Sequence, residues 1–294
     1  MKSSGGGGIY TVNNPTLTLT TAATLGAISI TQTLGTNGAS TSYTWSFTTN
    51  SKLIAGDFFK ITPPSTISIS SPTCTGIINL AASLTCSMSS GSLLITVAFA
   101  RRRNLVNGDP GTYSFKTTGI TNGPSTAPSN PFTIQSIQSD QTYIIEQVTT
   151  PTVTNTMSGT IISSSASVDS VALSTAASYT ITFTPINYVQ GMALKITLPS
   201  ELSITDGVNI CTNLQGLTDA TFSCTYTAAS REILVEGQFT GASNPGQVSL
   251  KMPAITNPAA YGTTSSFIIN TYHTVTATNY SIDQLTSGLT VDIS

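Results

Sequence analysis

The chain has 294 residues, a length that suggests about two domains, each large enough to bury a hydrophobic core. Only 7% of the residues are charged, roughly a third are Ser or Thr, and the net charge is −2. Ten Lys and Arg over this length cannot form the basic surface that phosphate binding needs, which excludes a nucleic-acid partner.

The amino-terminal residues 1–8 contain four consecutive Gly and no apolar stretch of the kind that a secretory signal has. We therefore expect the chain to be a processed product or a piece of a longer protein. The longest apolar stretch, 93–100, is far below the roughly 18 residues of a membrane helix, so no membrane span is predicted.

Apolar and polar residues alternate along many short segments of the chain. In the segment 43–48, Tyr43, Trp45 and Phe47 fall on one face and the hydroxyl residues between them on the other. This period of two is typical of a strand with one wet face, and Gly, Pro, Asn and Ser separate the segments. No segment keeps a helical period, so the sequence predicts an all-β protein.

The two halves of the sequence match each other at an offset of 135 to 138 residues. Matching positions include Tyr43 with Tyr179, Gly56 with Gly191, Lys60 with Lys195, Lys116 with Lys251, Asn122 with Asn257, Phe132 with Phe267, Tyr143 with Tyr280, and Glu146 with Asp283. The repeat predicts two tandem Ig-like antiparallel β-sandwich domains.

Four cysteines follow the same offset and fall into two local pairs, Cys74 with Cys86 and Cys211 with Cys224. Zinc would need closer spacing and more ligands, so we expect two disulfides. Disulfides imply an oxidising, extracellular setting.

The ends of the chain do not coincide with the ends of the repeat. We expect 13–147 and 148–284 to form the two sandwiches, 1–12 to be the end of a preceding repeat, and 285–294 to be the start of a following one. Each end would then be an unpaired strand that adds to a neighbouring sandwich. The apolar residues expected to enter the neighbour are Ile9, Tyr10, Val12, Leu285, Leu289 and Val291.

These Ser- and Thr-rich units, each with one cysteine pair and a closing Tyr-x-Ile-[Glu/Asp]-Gln strand, resemble repeat units of large surface and fibre proteins of microbes and single-celled eukaryotes. The donated terminal strand resembles the assembly of pilus subunits. The resemblance implies that the chain polymerises with other copies of itself.

Candidate chemical sites are few. His273 is the only histidine and has no nucleophile motif around it, so we expect no enzyme activity, no cofactor and no metal site. Asn279 begins the only Asn-x-Ser/Thr glycosylation motif. The run 101–103 consists of three Arg and is either a solvated loop or a contact for acidic glycans or for a carboxylate patch on a neighbour. The repeated Lys and Asn positions favour surface ion pairs over Lys–Asn crosslinks.

The sequence as a whole predicts an extracellular or cell-surface structural subunit that assembles head to tail by β-strand complementation into a filament. A carbohydrate-binding adhesin module is the alternative, with glycans as its partners.

Overall fold

The computed structural model describes residues 22–99, 108–204, 207–208, 210–217, 222–236 and 246–294. All regular secondary structure in these ranges is β-strand, which confirms the predicted fold class. No helix in the described residues is long and apolar enough to cross a membrane. Thr, Val, Ile and aromatic residues fill the strands because their side chains fit a pleated, half-buried surface.

Domain 1 contains the first eleven strands of the described chain. They are β1 (Ala23–Thr24), β2 (Gly26–Gln32), β3 (Ser40–Thr49), β4 (Phe58–Thr62), β5 (Ser68–Ile69), β6 (Cys74–Ile78), β7 (Cys86–Ser89), β8 (Ser92–Thr96), β9 (Gly111–Thr121), β10 (Thr133–Ile137) and β11 (Ile144–Val148). One sheet has the order β1-β11-β10-β4-β8-β7, and the other has the order β2-β3-β9-β5 with β6 also paired to β9.

Domain 2 repeats this arrangement. Its strands are β12 (Gly159–Val168), β13 (Ala176–Pro185), β14 (Ala193–Thr197), β15 (Gly207–Val208), β16 (Thr212–Gln215), β17 (Ser223–Thr227), β18 (Glu232–Glu236), β19 (Val248–Thr256), β20 (Gly262–Thr263), β21 (Ile268–Val275), β22 (Thr278–Leu285) and β23 (Asp292–Ile293). Strand β12 belongs to both sheets, because its start pairs in parallel with β22 and its end pairs antiparallel with β13.

The inward faces of the two sheets form a separate core in each domain. In domain 1, Tyr43, Trp45 and Phe47 are fully buried on alternate positions of β3, as the sequence pattern predicted. Tyr179, Ile181 and Phe183 fill the matching positions of β13 in domain 2. Trp45 is the only tryptophan of the chain, so its fluorescence reports on domain 1.

One disulfide closes the same local loop in each domain. Cys74 bonds to Cys86 and Cys211 to Cys224, with Cα–Cα distances of 6.0 Å and 5.9 Å. In domain 1 the bond fastens β6 of one sheet to β7 of the other. In the chain-entropy model a loop of this length stabilises a domain by about 3 kcal/mol.

A buried tyrosine and asparagine close one end of each sandwich. The Tyr179 hydroxyl donates to Asn257 Oδ1 at 2.7 Å, and the Asn257 amide donates to the carbonyls of Ser170 and Ala172. Burial raises the pKa of Tyr179 to about 12. Tyr43 and Asn122 form the same pair at 3.0 Å in domain 1.

The carboxyl-terminal segment does not lie where the sequence analysis expected it. Leu289 and Val291 are buried in the core of their own domain, and Leu285 packs against that core. Strand β23 pairs antiparallel with β20 of the same domain. Burial in their own domain removes the apolar surface of these side chains from water without a second copy of the chain. The expectation that they enter a neighbouring subunit is therefore corrected.

The boundary between the two domains also lies later in the chain than the sequence analysis expected, because an apolar residue after β11 is buried in domain 1. The segment after β11, expected to begin domain 2, belongs to domain 1: the carbonyls of Pro151 and Val153 accept from Phe132 and Ser129, and Val153 lies in the domain 1 core. Domain 2 begins near β12 instead of at residue 148. Ile9, Tyr10 and Val12 lie outside the described residues.

Tyr179→Phe should lower the free energy of unfolding of domain 2 by about 1–2 kcal/mol, because Asn257 Oδ1 loses its buried donor. Tyr43→Phe is the matched control and should cost less, since Gln32 still donates to Asn122 Oδ1. Denaturant unfolding checks this, with Trp45 fluorescence for domain 1 and circular dichroism for the second transition. Equal costs for the two variants would contradict the prediction.

Candidate functional site

The most elaborate polar structure in the described residues lies where the two domains meet. We call it the junction, and it consists of the loop 33–39, the loop 122–129, the linker 153–158, and Gly159, Asn187, Ser281, Ile282 and Asp283 of domain 2.

Asn37 is the centre of the junction and is only 3% exposed. Its side-chain amide donates to the carbonyls of Ser281 at 2.9 Å and Ile282 at 2.7 Å, both in domain 2. Its Oδ1 accepts from the Asn155 amide at 3.0 Å, and its backbone N–H donates to the Met157 carbonyl at 3.0 Å. Every polar group of Asn37 is therefore satisfied although water is excluded, which fixes its position.

Asn155 carries the network back into domain 1. Its amide also donates to the carbonyl of Gly123 at 2.8 Å, and its Oδ1 accepts from Gln32 Nε2 at 2.8 Å. The same Gln32 nitrogen contacts the Tyr43 hydroxyl and Asn122 Oδ1. The junction is thus continuous with the buried Tyr–Asn pair that closes domain 1.

A buried carboxylate holds the domain 2 side of the junction. Asp283 is fully buried, and its two oxygens accept from the backbone N–H of Asn187 at 2.7 Å and from the Asn187 amide at 2.6 Å. Burial raises the pKa of Asp283 despite these bonds. Because the folded-state pKa is raised, this group destabilises the fold as the pH rises above the ordinary value near 3.8.

Two glycines allow the domains to approach this closely. A Cβ at Gly159 would collide with Asp283 Oδ1 and Asn187 Nδ2, and a Cβ at Gly38 would collide with Asn187 Oδ1. Gly38 also has a φ of +65°, which L-residues rarely adopt. Glycine is required at both positions because the side chains of the junction occupy the space.

Domain 1 has a matching buried carboxylate at its outer end, the end opposite the junction, but only one of its two oxygens is hydrogen-bonded. Glu146 is fully buried and accepts from the backbone N–H of Asn50 at 2.8 Å through Oε1, whereas Oε2 has no hydrogen-bond partner. Ala23 stands where domain 2 has its glycine, so its Cβ takes the space of the amide. The Asn50 amide donates to the Thr24 carbonyl instead.

A cleft of about 480 Å³ opens beside the junction. Domain 1 contributes Ile67, Val153 and the Pro- and Ser-rich loop 123–130, and domain 2 contributes Val189, His273, Val275 and Tyr280. The lining is mainly apolar with an imidazole and a phenol at one side. The cleft therefore brings His273, singled out in the sequence, to the boundary between the domains.

A row of polar side chains crosses the outer face of one sheet in each domain. Lys60, Gln135 and Gln147 are aligned across β4, β10 and β11, and Lys195, Asn270 and Gln284 occupy the equivalent places. In domain 1 the two amides bond to each other at 2.6 Å. In domain 2 the shorter Asn270 lies in a depression of about 490 Å³, next to a Lys195–Glu232 ion pair of 2.9 Å.

The glycosylation candidate Asn279 is exposed at the tip of the β21–β22 hairpin, where its side chain accepts from Thr274. Ser281, the third residue of the motif, bonds to Ser158 through its hydroxyl at 2.6 Å. The three arginines at 101–103 lie outside the described residues.

Sequence reasoning did not find the junction residues Asn37, Asn155 and Asn187. A signal was present in the loop around Asn37, because the repeat breaks there: Gly35, Asn37 and Gly38 match Val171, Leu173 and Ser174 in the second half. A loop that departs from its own repeat at consecutive positions points to a contact made by only one copy.

No family model matches the chain, and no curated protein matches it. Among solved structures, it is similar to the major pilin subunit BcpA* of Bacillus cereus, at 13% identity and a TM-score of 0.31, over 92% of this chain and 67% of that one. It is also similar to the collagen adhesin of S. aureus, at 12% identity and a TM-score of 0.26, over 92% and 95%. The bacterial hydrophobin BslA matches 45% of this chain and 98% of its own length, at 18% identity and a TM-score of 0.28.

Asp283→Asn should destabilise domain 2 by about 1–3 kcal/mol, because its new NH₂ group must face one of the two Asn187 donors. Glu146→Gln is the matched control and should cost less than about 1 kcal/mol, since its NH₂ group can take the place of the unpartnered Oε2. Both values come from denaturant unfolding followed as above. A larger loss in Glu146→Gln would show that the two carboxylates are misassigned.

Proposed function

We propose that this protein is a structural module of an extracellular fibre or surface adhesin, in which two β-sandwiches are held end to end as a rigid rod. One observation carries the proposal: the buried Asn37 is bonded to both domains with all its polar groups satisfied. Polar groups buried in this way are costly to separate, so the junction resists bending.

The surface chemistry supports an extracellular structural role. Two disulfides fit an oxidising compartment, and the low charge leaves little repulsion to keep neighbouring β-structures apart. The role proposed is mechanical and non-catalytic. Assembly remains head to tail, but donation of 285–294 to a neighbour is no longer part of it, since that segment fills its own core.

Asn37→Ala should turn the rod into two domains joined by a hinge, because it removes the amide that donates to both the Ser281 and the Ile282 carbonyl and leaves Ser281 with the Thr126 N–H alone. Small-angle X-ray scattering of the full chain should show a broader distribution of maximum dimensions, while Trp45 fluorescence stays native. Asn50→Ala, which removes an exposed amide at the outer end, is the control and should leave the scattering unchanged.

A wild-type chain that already scatters as two freely jointed domains would overturn the rigid rod. The extracellular assignment has its own test, which is antibody labelling of intact source cells. Protein found only after the cells are permeabilised would overturn that part of the proposal.

The polar depression of domain 2 favours a second role, carbohydrate binding, because amide, hydroxyl and ammonium groups suit sugar hydroxyls. Asn270→Ala should then abolish binding on a glycan array, whereas Gln135→Ala, at the matching position of domain 1, should not. Binding that survives in Asn270→Ala, or no binding by the wild type, would leave the structural role alone.

A further inference from the structure

Both outer ends of the two-domain rod expose apolar side chains. At the domain 1 end, which we call the front pole, Ile54, Tyr143 and Ile144 are 61%, 62% and 44% exposed. At the domain 2 end, the rear pole, Val171 and Tyr261 are 40% and 67% exposed. Exposed apolar groups gathered at one place commonly mark a contact surface.

The front-pole residues are the repeat counterparts of domain 2 residues that face domain 1. Ile54 matches Val189, since each carbonyl accepts the N–H three residues later. Tyr143 matches Tyr280, and both Val189 and Tyr280 line the cleft between the domains.

The rear-pole residues are likewise counterparts of domain 1 residues in the junction. Val171 matches Gly35, because the carbonyls on either side of each accept from the equivalent asparagine amides. Tyr261 matches Thr126, whose backbone N–H donates to the Ser281 carbonyl across the junction at 2.9 Å.

The central contact of the junction loses its hydrogen-bond donor at the poles. In the junction, Asn37 of domain 1 bonds to the carbonyl of Ser281 in domain 2. Their counterparts at the poles are Leu173 at the rear and Ile144 at the front. Leu173, which also packs against its own core, has no amide to donate to the Ile144 carbonyl, and the Ile144 side chain is 44% exposed. A contact between the poles would therefore be apolar where the junction has a hydrogen bond.

We propose that the front pole of one copy docks on the rear pole of a second copy, in the end-to-end order of the junction but through apolar contacts. The proposal rests on the fibre role and names its partner. Such a contact joins two different surfaces, so it does not close on itself and repeats into a filament. The terminal segment 285–294 stays in its own domain.

The test is sedimentation velocity of the full chain over about 1 μM to 1 mM, the range of weak to moderate association. The wild type should associate. The front variant, Ile54→Ser with Tyr143→Ser, and the rear variant, Val171→Ser with Tyr261→Ser, should each associate at least about tenfold more weakly. Leu214→Ser is the matched control, because this residue is 53% exposed on strand β16, away from both poles.

Mixing the two pole variants gives the sharpest outcome. Each variant keeps one intact pole, so an equimolar mixture should form dimers and stop there. A mixture that stays monomeric, a wild type that stays monomeric, or pole variants that associate like the wild type would each overturn the inference. None of these results affects the rigid junction or the surface location, which scattering and cell labelling test separately.

Strand exchange is separated from pole docking by a disulfide across the terminal pair. Thr263→Cys with Asp292→Cys joins β20 to β23, whose positions face each other, and holds the segment at home. Pole docking predicts unchanged association in the oxidised variant. Loss of association on oxidation, restored by reduction, would instead show that copies exchange this strand.

Discussion

The structure depends on the requirement that buried polar groups find partners. At the junction, the side chains of Asn37 and Asn187 bond across from one domain to the other. These bonds restrict the orientation that one domain can adopt relative to the other. An apolar contact of the same size would tolerate sliding, because dispersion and burial are not directional. Hydrogen bonds have fixed lengths and angles, so the two sandwiches are held in one relative orientation.

The two domains share one fold but differ in the contacts made at the matching carboxylate. The carboxylate of Glu146 or Asp283 accepts the same backbone N–H in both domains. The difference is one methyl group: Ala23 occupies the space that Gly159 leaves to the Asn187 amide. At the junction end of domain 2, where the glycine is present, the Asn187 amide bonds to Asp283 and to the Asn37 carbonyl of domain 1. At the front pole, where alanine replaces it, the Asn50 amide bonds to the Thr24 carbonyl instead.

The strands and the cysteine pairing followed from the sequence because both leave local patterns. The alternation around Trp45 and the repeat offset are sufficient to place the cores. The phase of the repeat was not predictable in the same way, because the segment around Val153 has the same period-two pattern whether it ends one sandwich or begins the next. The junction was missed because its hydrogen bonds join Asn37 to Ser281, residues that are 244 positions apart.

The parallel pairing of β12 with β22 in domain 2 has a consequence for the mechanical role proposed above. Gly159 and Thr160 lie beside Asp283 and Gln284 in the same direction, so tension along the chain slides the two strands past each other. The hydrogen bonds between the two strands are then loaded in shear and must break together. Strands paired in this way resist a larger force than strands that are peeled apart one bond at a time. The bond between Cys74 and Cys86 also withholds about 40 Å of backbone from any extension, since it spans 12 residues at roughly 3.4 Å each.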